Sequence, residues 1–177
     1  MTTIRMHRRV PVVVGATALF LQLSPVMAGG QSATGPGNAP VAITFTKWGA
    51  PPPAMPPTPF FGLFEGFSGD GLLGSFEAEV LWRQRSVNGH VNGLEALYEV
   101  VDGNRSFSAL IRGGSNSAGA ALLEGVILRG WRTGARVQVE FQSYPAIAGA
   151  SSCEGAPMNK TCFVGTIHVG HAPAGNR

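Results

Sequence analysis

Glu124 is the acidic residue whose surroundings in the sequence point most directly to chemistry. It interrupts an apolar run, Ala120–Trp131, that is typical of a strand covered on both faces. On a regular strand its face also holds three apolar residues, Leu122, Val126 and Leu128. An ionised carboxylate buried alone is costly, so it would be paired or protonated. Three interpretations stay open: a cavity acid that protonates or orients a ligand, an outward-facing residue, or an ion-pair partner of Arg112 or Arg129.

Aromatic residues complete the candidate ligand site. Tyr98 lies on an apolar strand face, where its hydroxyl would meet either a ligand or the protein backbone. Trp82 and Trp131 are expected to be core aromatics or to lie at the mouth of the domain, and Phe107 begins another apolar face. The predicted ligand-binding set is therefore Glu124, Tyr98, Trp82, Trp131 and Phe107.

Motifs of known catalytic or metal chemistry do not occur. The sequence has no G-x-S-x-G, no H-E-x-x-H and no P-loop. His168 and His171 are three residues apart but straddle the end of a predicted strand, with no carboxylate nearby in sequence, and His90 lies in an Asn/Gly turn. We therefore predict no metal site and no cofactor, and the sequence leaves any catalytic residue unknown.

Cys153 and Cys162 are the two cysteines of the chain. An even number of cysteines in an exported protein indicates a disulfide, whereas C-x8-C is not a zinc spacing. The bond would hold the 145–160 loop to the start of the last strand and contribute about 2–3 kcal/mol.

The first 28 residues have the three parts of a secretory signal peptide. Arg5, Arg8 and Arg9 precede an apolar run over 10–23, and Val26 and Ala28 suit a cleavage site after Ala28. The apolar run is shorter than the ~20 residues that span a bilayer, so no stable membrane span is expected after cleavage. This predicts a secreted or periplasmic protein.

Composition limits the possible partners and the number of domains. A length of 177 residues suits one domain, and 13% charged residues exclude a highly charged disordered chain. The net charge of +3 is accounted for by the three arginines of the leader, so no basic surface for nucleic acid is expected. A homo-oligomer is compatible with the composition. The predicted divisions are the signal peptide (1–28), a flexible linker (29–40), the folded domain (41–170) and a tail (171–177).

Alternating apolar residues predict seven strands joined by Gly/Asn turns. They lie at 41–48, 74–82, 94–101, 106–112, 120–131, 136–142 and 161–169. Phe60–Phe67 is expected to be an apolar loop over one end of the domain or a lid over a cavity, and an eighth strand would come from 60–73 or 143–160. We predict an all-β, antiparallel, up-and-down barrel of seven or eight strands, because closure removes exposed sheet edges, with a β-sandwich as second choice.

Five of these segments also carry a family resemblance. They are GSFEAEV (74–80), LEALYEV (94–100), SFSALIRG (106–113), ALLEGVILRGW (121–131) and CFVGTI (162–167). Over 41–169 the chain resembles secreted bacterial proteins of the allene oxide cyclase barrel-like type and, more distantly, plant dirigent proteins. The resemblance implies an eight-stranded antiparallel barrel with an apolar cavity, which in the plant families steers cyclisation or coupling of a reactive apolar intermediate. No catalytic residue of those families has a counterpart here.

Three functions follow as hypotheses. The first is binding of a small apolar molecule inside the barrel, which an interior filled by side chains would weaken. The second is a cofactor-free isomerase or cyclase-like enzyme, which needs an inward-facing polar group such as Glu124, Tyr98 or His168. The third is a structural or interaction protein of the cell envelope that acts through the Pro-rich segment 51–59 or a sheet edge.

Overall fold

Eight antiparallel strands close into one barrel in the computed structural model, which describes residues 40–171. The strands are β1 (Val41–Gly49), β2 (Leu63–Ser68), β3 (Gly74–Arg85), β4 (Val91–Val101), β5 (Phe107–Ser115), β6 (Ala120–Gly130), β7 (Arg136–Tyr144) and β8 (Cys162–Val169). Each strand pairs with the next, and β8 pairs with β1 from Val41↔Val169 to Trp48↔Cys162. The predicted up-and-down barrel is confirmed, and the β-sandwich is wrong because no edge separates two sheets within the described residues.

The eighth strand comes from the Phe-rich segment. Leu63–Ser68 pairs with both β1 and β3, so the expectation of a loop or lid over Phe60–Phe67 is wrong for most of that segment. Alternation explains the difference: Phe64 points into the barrel, and Phe67 packs outside against Trp48 with ring centroids 5.6 Å apart. Two short 3-10 turns, Asp70–Leu72 and Gly103–Arg105, lie in the connections before β3 and β5.

A β-bulge in β3 changes the face on which Trp82 lies. The register passes from Val80↔Ala96 to Trp82↔Glu95, so one residue of β3 has no partner in β4. A bulge of this kind moves the following side chains to the opposite face. Trp82 is therefore 48% exposed on the outside, and Arg83 takes a place on the inward face.

The predicted disulfide is confirmed. Cys153 and Cys162 are bonded, with their Cα atoms 6.4 Å apart, and the bond holds the 145–161 loop to the first residue of β8. The loop packs on the outer face of β1 and β8, where Trp48, Ala156 and Cys162 form a small buried cluster.

Several sequence predictions lie outside the described residues. These are the signal peptide (1–28), residues 29–39 of the linker and residues 172–177 of the tail. Between residues 40 and 171, no helix is long and apolar enough to cross a membrane.

The barrel interior has two ends with different contents. At the packed end, where β1 begins, large apolar side chains bury one another: Ile43, Val100, Phe107, Ile127, Val137 and Val169. At the open end, where β1 finishes, the interior instead contains a cavity. The two ends share every strand, so the difference between them comes from the side chains alone.

Candidate functional site

The cavity at the open end has a volume of about 170 Å³. A buried apolar cavity of about 150 Å³ is large enough to hold benzene. Most of its wall is apolar or aromatic, contributed by Phe64, Ala78, Val80, Leu94, Ala96, Phe141 and Phe163. The cavity also reaches Arg85, which is exposed, so the space extends toward solvent at the end of the barrel.

Lys47 is a buried charged side chain in the wall of this cavity. It continues the inward face of β1 after Ile43 and Phe45, and its register partners are Gly66 of β2 and Phe163 of β8. The residue is only 4% exposed. Its Nζ donates a hydrogen bond to the hydroxyl oxygen of Tyr98, which is 2% exposed on β4. A strand pattern that is otherwise apolar thus places an amine and a phenol side by side in the interior.

Aromatic rings surround the Lys47 amine. Six ring centroids lie 4.5–5.9 Å from Nζ, and they belong to Tyr98, Phe141, Phe64, Phe45, Phe76 and Phe163. The faces of such rings attract a cation, with a strength that grows as water is removed. Lys47 therefore occupies its own aromatic cage, which leaves no place there for a cationic ligand.

A carboxylate partner for Lys47 is absent from the part of the chain that the structure describes. The ion pairs among residues 40–171 join other residues, and the described wall of the cavity contains no Asp or Glu. Burial without a counter-ion lowers the pKa of Lys47 from 10.5 to about 7. Burial raises the pKa of Tyr98 above its usual range, so its hydroxyl stays neutral. Near neutral pH the cavity therefore holds a mixture of free amine and ammonium beside a phenol that can donate or accept a hydrogen bond.

Two arginines lie between Lys47 and solvent. Arg83 and Arg85 line the mouth of the cavity from the end of β3. Partial burial, and then the neighbouring charge of Arg85, lower the pKa of Arg83. Ser115 and Ser143 add hydroxyls to the same rim. The entrance is therefore polar and positively charged, whereas the wall beyond it is apolar.

The residues predicted from the sequence do not all meet at this site. Tyr98 lines the cavity. Phe107 is buried at the packed end, where its ring centroid is 6.5 Å from that of the half-buried Trp131. The Arg132 guanidinium lies over the Trp131 ring at 4.6 Å. Trp82 lies outside the barrel, as described above, against Gly93 of β4.

Glu124 faces outward on β6. It is exposed, and its register partners are Arg112 on β5 and Gln138 on β7. The arginines proposed as its ion-pair partners bind other acids: Arg112 pairs with Glu95 at 2.5 Å, and Arg129 pairs with Glu99 at 2.8 Å. Of the three interpretations of Glu124, the outward-facing one agrees with this placement.

His168 also lies on the outer face. It and Glu124 border a shallow depression of about 740 Å³ between β6, β7 and β8. The depression is larger than the interior cavity, but the titratable side chains that line it, Arg112, Glu124, Arg136 and His168, are exposed. Within residues 40–171, no cluster of three His, Cys, Asp or Glu side chains could hold a metal ion. The interior cavity is therefore the better candidate site.

Sequence reasoning missed Lys47. The signal is present in the sequence, since strand alternation places Val41, Ile43 and Phe45 on one face and places Lys47 next on that face. Alternation does not predict the ring cage, because its rings come from six strands: β1, β2, β3, β4, β7 and β8.

No protein-family model matches this chain, and neither the curated proteins nor the solved structures contain a match to it.

Proposed function

We propose that the protein binds a small, mainly apolar molecule in the cavity at the open end, with an oxygen-bearing polar group of the ligand facing Lys47 and Tyr98. The observation that carries this proposal is a buried lysine, without a carboxylate partner among the described residues, in the wall of a mainly apolar cavity. A charge-bearing group placed there is destabilising unless something else favours it, and strongly perturbed groups in clefts are typical of functional sites.

The cavity specifies the kind of ligand. Its volume of about 170 Å³ suits a molecule about the size of a substituted benzene ring. Its aromatic and aliphatic wall favours an apolar body, and the Lys47 amine and Tyr98 hydroxyl can donate hydrogen bonds to an oxygen. The arginines at the mouth disfavour cations. A neutral or anionic molecule with an apolar body meets all three conditions.

The resemblance to allene oxide cyclase barrel-like proteins remains a prediction. An interior cavity in a closed eight-stranded barrel supports it. A cofactor-free isomerase or cyclase-like activity is the second candidate. It requires an inward-facing polar group, and the hydrogen-bonded Lys47–Tyr98 pair supplies one. The envelope-interaction hypothesis, which an exposed apolar surface and an interior without a cavity would favour, has less support because the barrel interior contains a cavity.

Export to the periplasm or the medium is part of the proposal. The Cys153–Cys162 bond supports it, because disulfides persist in oxidising compartments.

An NMR titration tests the binding proposal. Labelled protein is titrated with benzyl alcohol, and chemical-shift changes are followed in the wild type, in Ala78→Leu and in Ala42→Leu. Ala78 lines the cavity, whereas Ala42 is exposed on β1 and serves as the matched control. We expect shifts at cavity residues in the wild type and in Ala42→Leu, and their loss in Ala78→Leu. Shifts confined to the outer depression around Glu124, or no shifts at all, would contradict the proposal.

A further inference from the structure

We propose that the Lys47 amine reacts reversibly with an aldehyde or ketone whose apolar body fills the cavity, so that the bound state is an imine. The inference rests on the proposed function and names the substrate class of the same site. It starts from the juxtaposition of the Lys47 Nζ, the Tyr98 hydroxyl and the cavity that both side chains line.

The surroundings of Nζ favour a neutral carbonyl over a carboxylate. Six rings lie within 6 Å of the amine, and their electron-rich faces attract a cation but repel an anion. The arginines that could neutralise a carboxylate lie at the mouth. A carbonyl compound enters without an ionic charge, and the protonated imine is a cation that the cage stabilises as it does the ammonium. The site therefore suits the covalent adduct better than a buried anion.

The reaction needs no co-reactant. The free amine of Lys47 attacks the carbonyl carbon, forming the C–N bond, while the carbonyl oxygen takes up a proton and becomes a hydroxyl. The amine nitrogen gives up a proton, and the tetrahedral adduct then loses its hydroxyl group with a further proton as one molecule of water. The C=N double bond forms, and no electrons are transferred to or from the protein. Amines of this kind become nucleophiles when an apolar site keeps them unprotonated.

Tyr98 is placed to carry the proton. Its hydroxyl accepts a hydrogen bond from Nζ, and burial keeps it protonated, so it can relay a proton from the amine to the carbonyl oxygen by giving up its own proton as it takes that of the amine. These steps correspond to general acid–base catalysis by a side chain within hydrogen-bond reach of the reacting group. Tyr98 would therefore act on the rate of imine formation more than on the extent of apolar binding.

The composition of the chain makes the test selective. Lys47 and Lys160 are its only two lysines. Lys160 is exposed in the 145–161 loop, where its Nζ lies 3.3 Å from the backbone oxygen of Gly49. It serves as an internal control for the ordinary reactivity of a surface amine.

The experiment is reductive trapping. The folded protein is incubated at neutral pH with benzaldehyde and cyanoborohydride, and the modified lysines are located by peptide mass mapping. We expect Lys47 to be modified about tenfold or more faster than Lys160, since the cavity holds the aldehyde beside the Lys47 amine and burial lowers the pKa of that amine. We expect the excess to vanish in guanidinium-unfolded protein, and modification at position 47 to be lost in Lys47→Met but not in Lys160→Met. In Tyr98→Phe the trapping rate at Lys47 should fall at least severalfold, whereas the trapping rate at Lys160 should stay the same.

The outcomes separate this inference from the proposed function. Binding of benzyl alcohol in the cavity, with benzaldehyde trapped no faster at Lys47 than at Lys160, would overturn the imine and leave the binding site standing. Benzoate that binds more tightly than benzyl alcohol, with no trapping at Lys47, would likewise overturn it in favour of an anion site. If neither benzyl alcohol nor benzaldehyde enters the cavity, both proposals fail.

Discussion

The two ends of the barrel interior use the same strands and the same alternation, yet one end is filled and the other is not. At the packed end the inward positions hold mainly buried apolar side chains, and the hydroxyl of the buried Ser68 is hydrogen-bonded to the backbone oxygens of Ser75 and Val101. At the open end one inward position holds Lys47, and aromatic rings surround its amine without filling the space beyond it. Alternation therefore determines which side chains point inward, whereas the chemistry of a single inward residue determines whether that region is core or site.

The packed end should lose the most stability on truncation. Phe107→Ala removes a ring that is 4% exposed among apolar neighbours. We expect the free energy of unfolding to fall by about 3–5 kcal/mol, measured by urea denaturation. Leu128→Ala, at a residue 50% exposed on the outer face of β6, is the control. A loss as small as that of the control would mean that the packed end is not a core.

Replacing the buried lysine at the open end should raise the stability of the protein. Lys47→Met replaces a buried amine by an apolar chain of similar length. The lowered pKa of Lys47 corresponds to about 4 kcal/mol of destabilisation at pH 7. Leaving the Tyr98 hydroxyl without its partner costs about 1 kcal/mol. We expect a net gain of about 3 kcal/mol in denaturation at pH 7. A loss of stability would show that Lys47 is a structural residue and not a group held at a cost.

The pH dependence of stability should also come from Lys47 at the open end. Lys47 has a pKa of about 7 when folded and 10.5 when unfolded, so the unfolded chain holds more protons between these values. The free energy of unfolding should therefore rise from about pH 7 to about pH 10, at up to about 1.4 kcal/mol per pH unit. Above pH 10 the raised pKa of Tyr98 acts oppositely, because the unfolded chain then loses a proton that the folded chain keeps. Urea midpoints over this range should rise in the wild type and stay nearly flat in Lys47→Met up to pH 10. A rise of equal size in both proteins would assign the effect to another group.

Reduction of the disulfide should change the free energy of unfolding by less than either interior substitution does. Cys153 and Cys162 close a loop with a sequence separation of nine, for which chain entropy gives about 2–3 kcal/mol. Thermal unfolding with and without a reductant should show this loss, while benzyl alcohol binding persists because the loop lies outside the barrel. Loss of binding on reduction would show that the loop supports the cavity.

Glu124→Gln should have the smallest effect. Its side chain is exposed and makes no ion pair among the described residues. We expect a change in unfolding free energy below about 0.5 kcal/mol and unchanged benzyl alcohol binding. A marked change in binding would move the site from the interior to the outer depression.

Much of the fold could be predicted from the sequence, because strand alternation and turn residues are local signals. Alternation places Val137, Val139 and Phe141 on one face of β7. An even number of cysteines in a chain with a predicted signal peptide indicates the disulfide, which the structure confirms. The bulge before Trp82 has no such signal, so the sequence predicts a core or mouth aromatic where the structure has a side chain exposed on the outer face. The site depends on rings from six strands that meet around one amine. Local sequence patterns do not predict which residues of distant strands come together.

The most direct test of the central claim is an NMR pH titration of the two lysine side chains. With only Lys47 and Lys160 in the chain, the side-chain carbon and nitrogen signals can be assigned from the Lys160→Met variant. If Lys47 is buried in an apolar cavity without a carboxylate, its titration midpoint should lie near 7 and should move when benzyl alcohol is added. A midpoint near 10.5, unchanged by benzyl alcohol, would mean that the amine reaches water freely and would contradict the assignment of this cavity as the functional site.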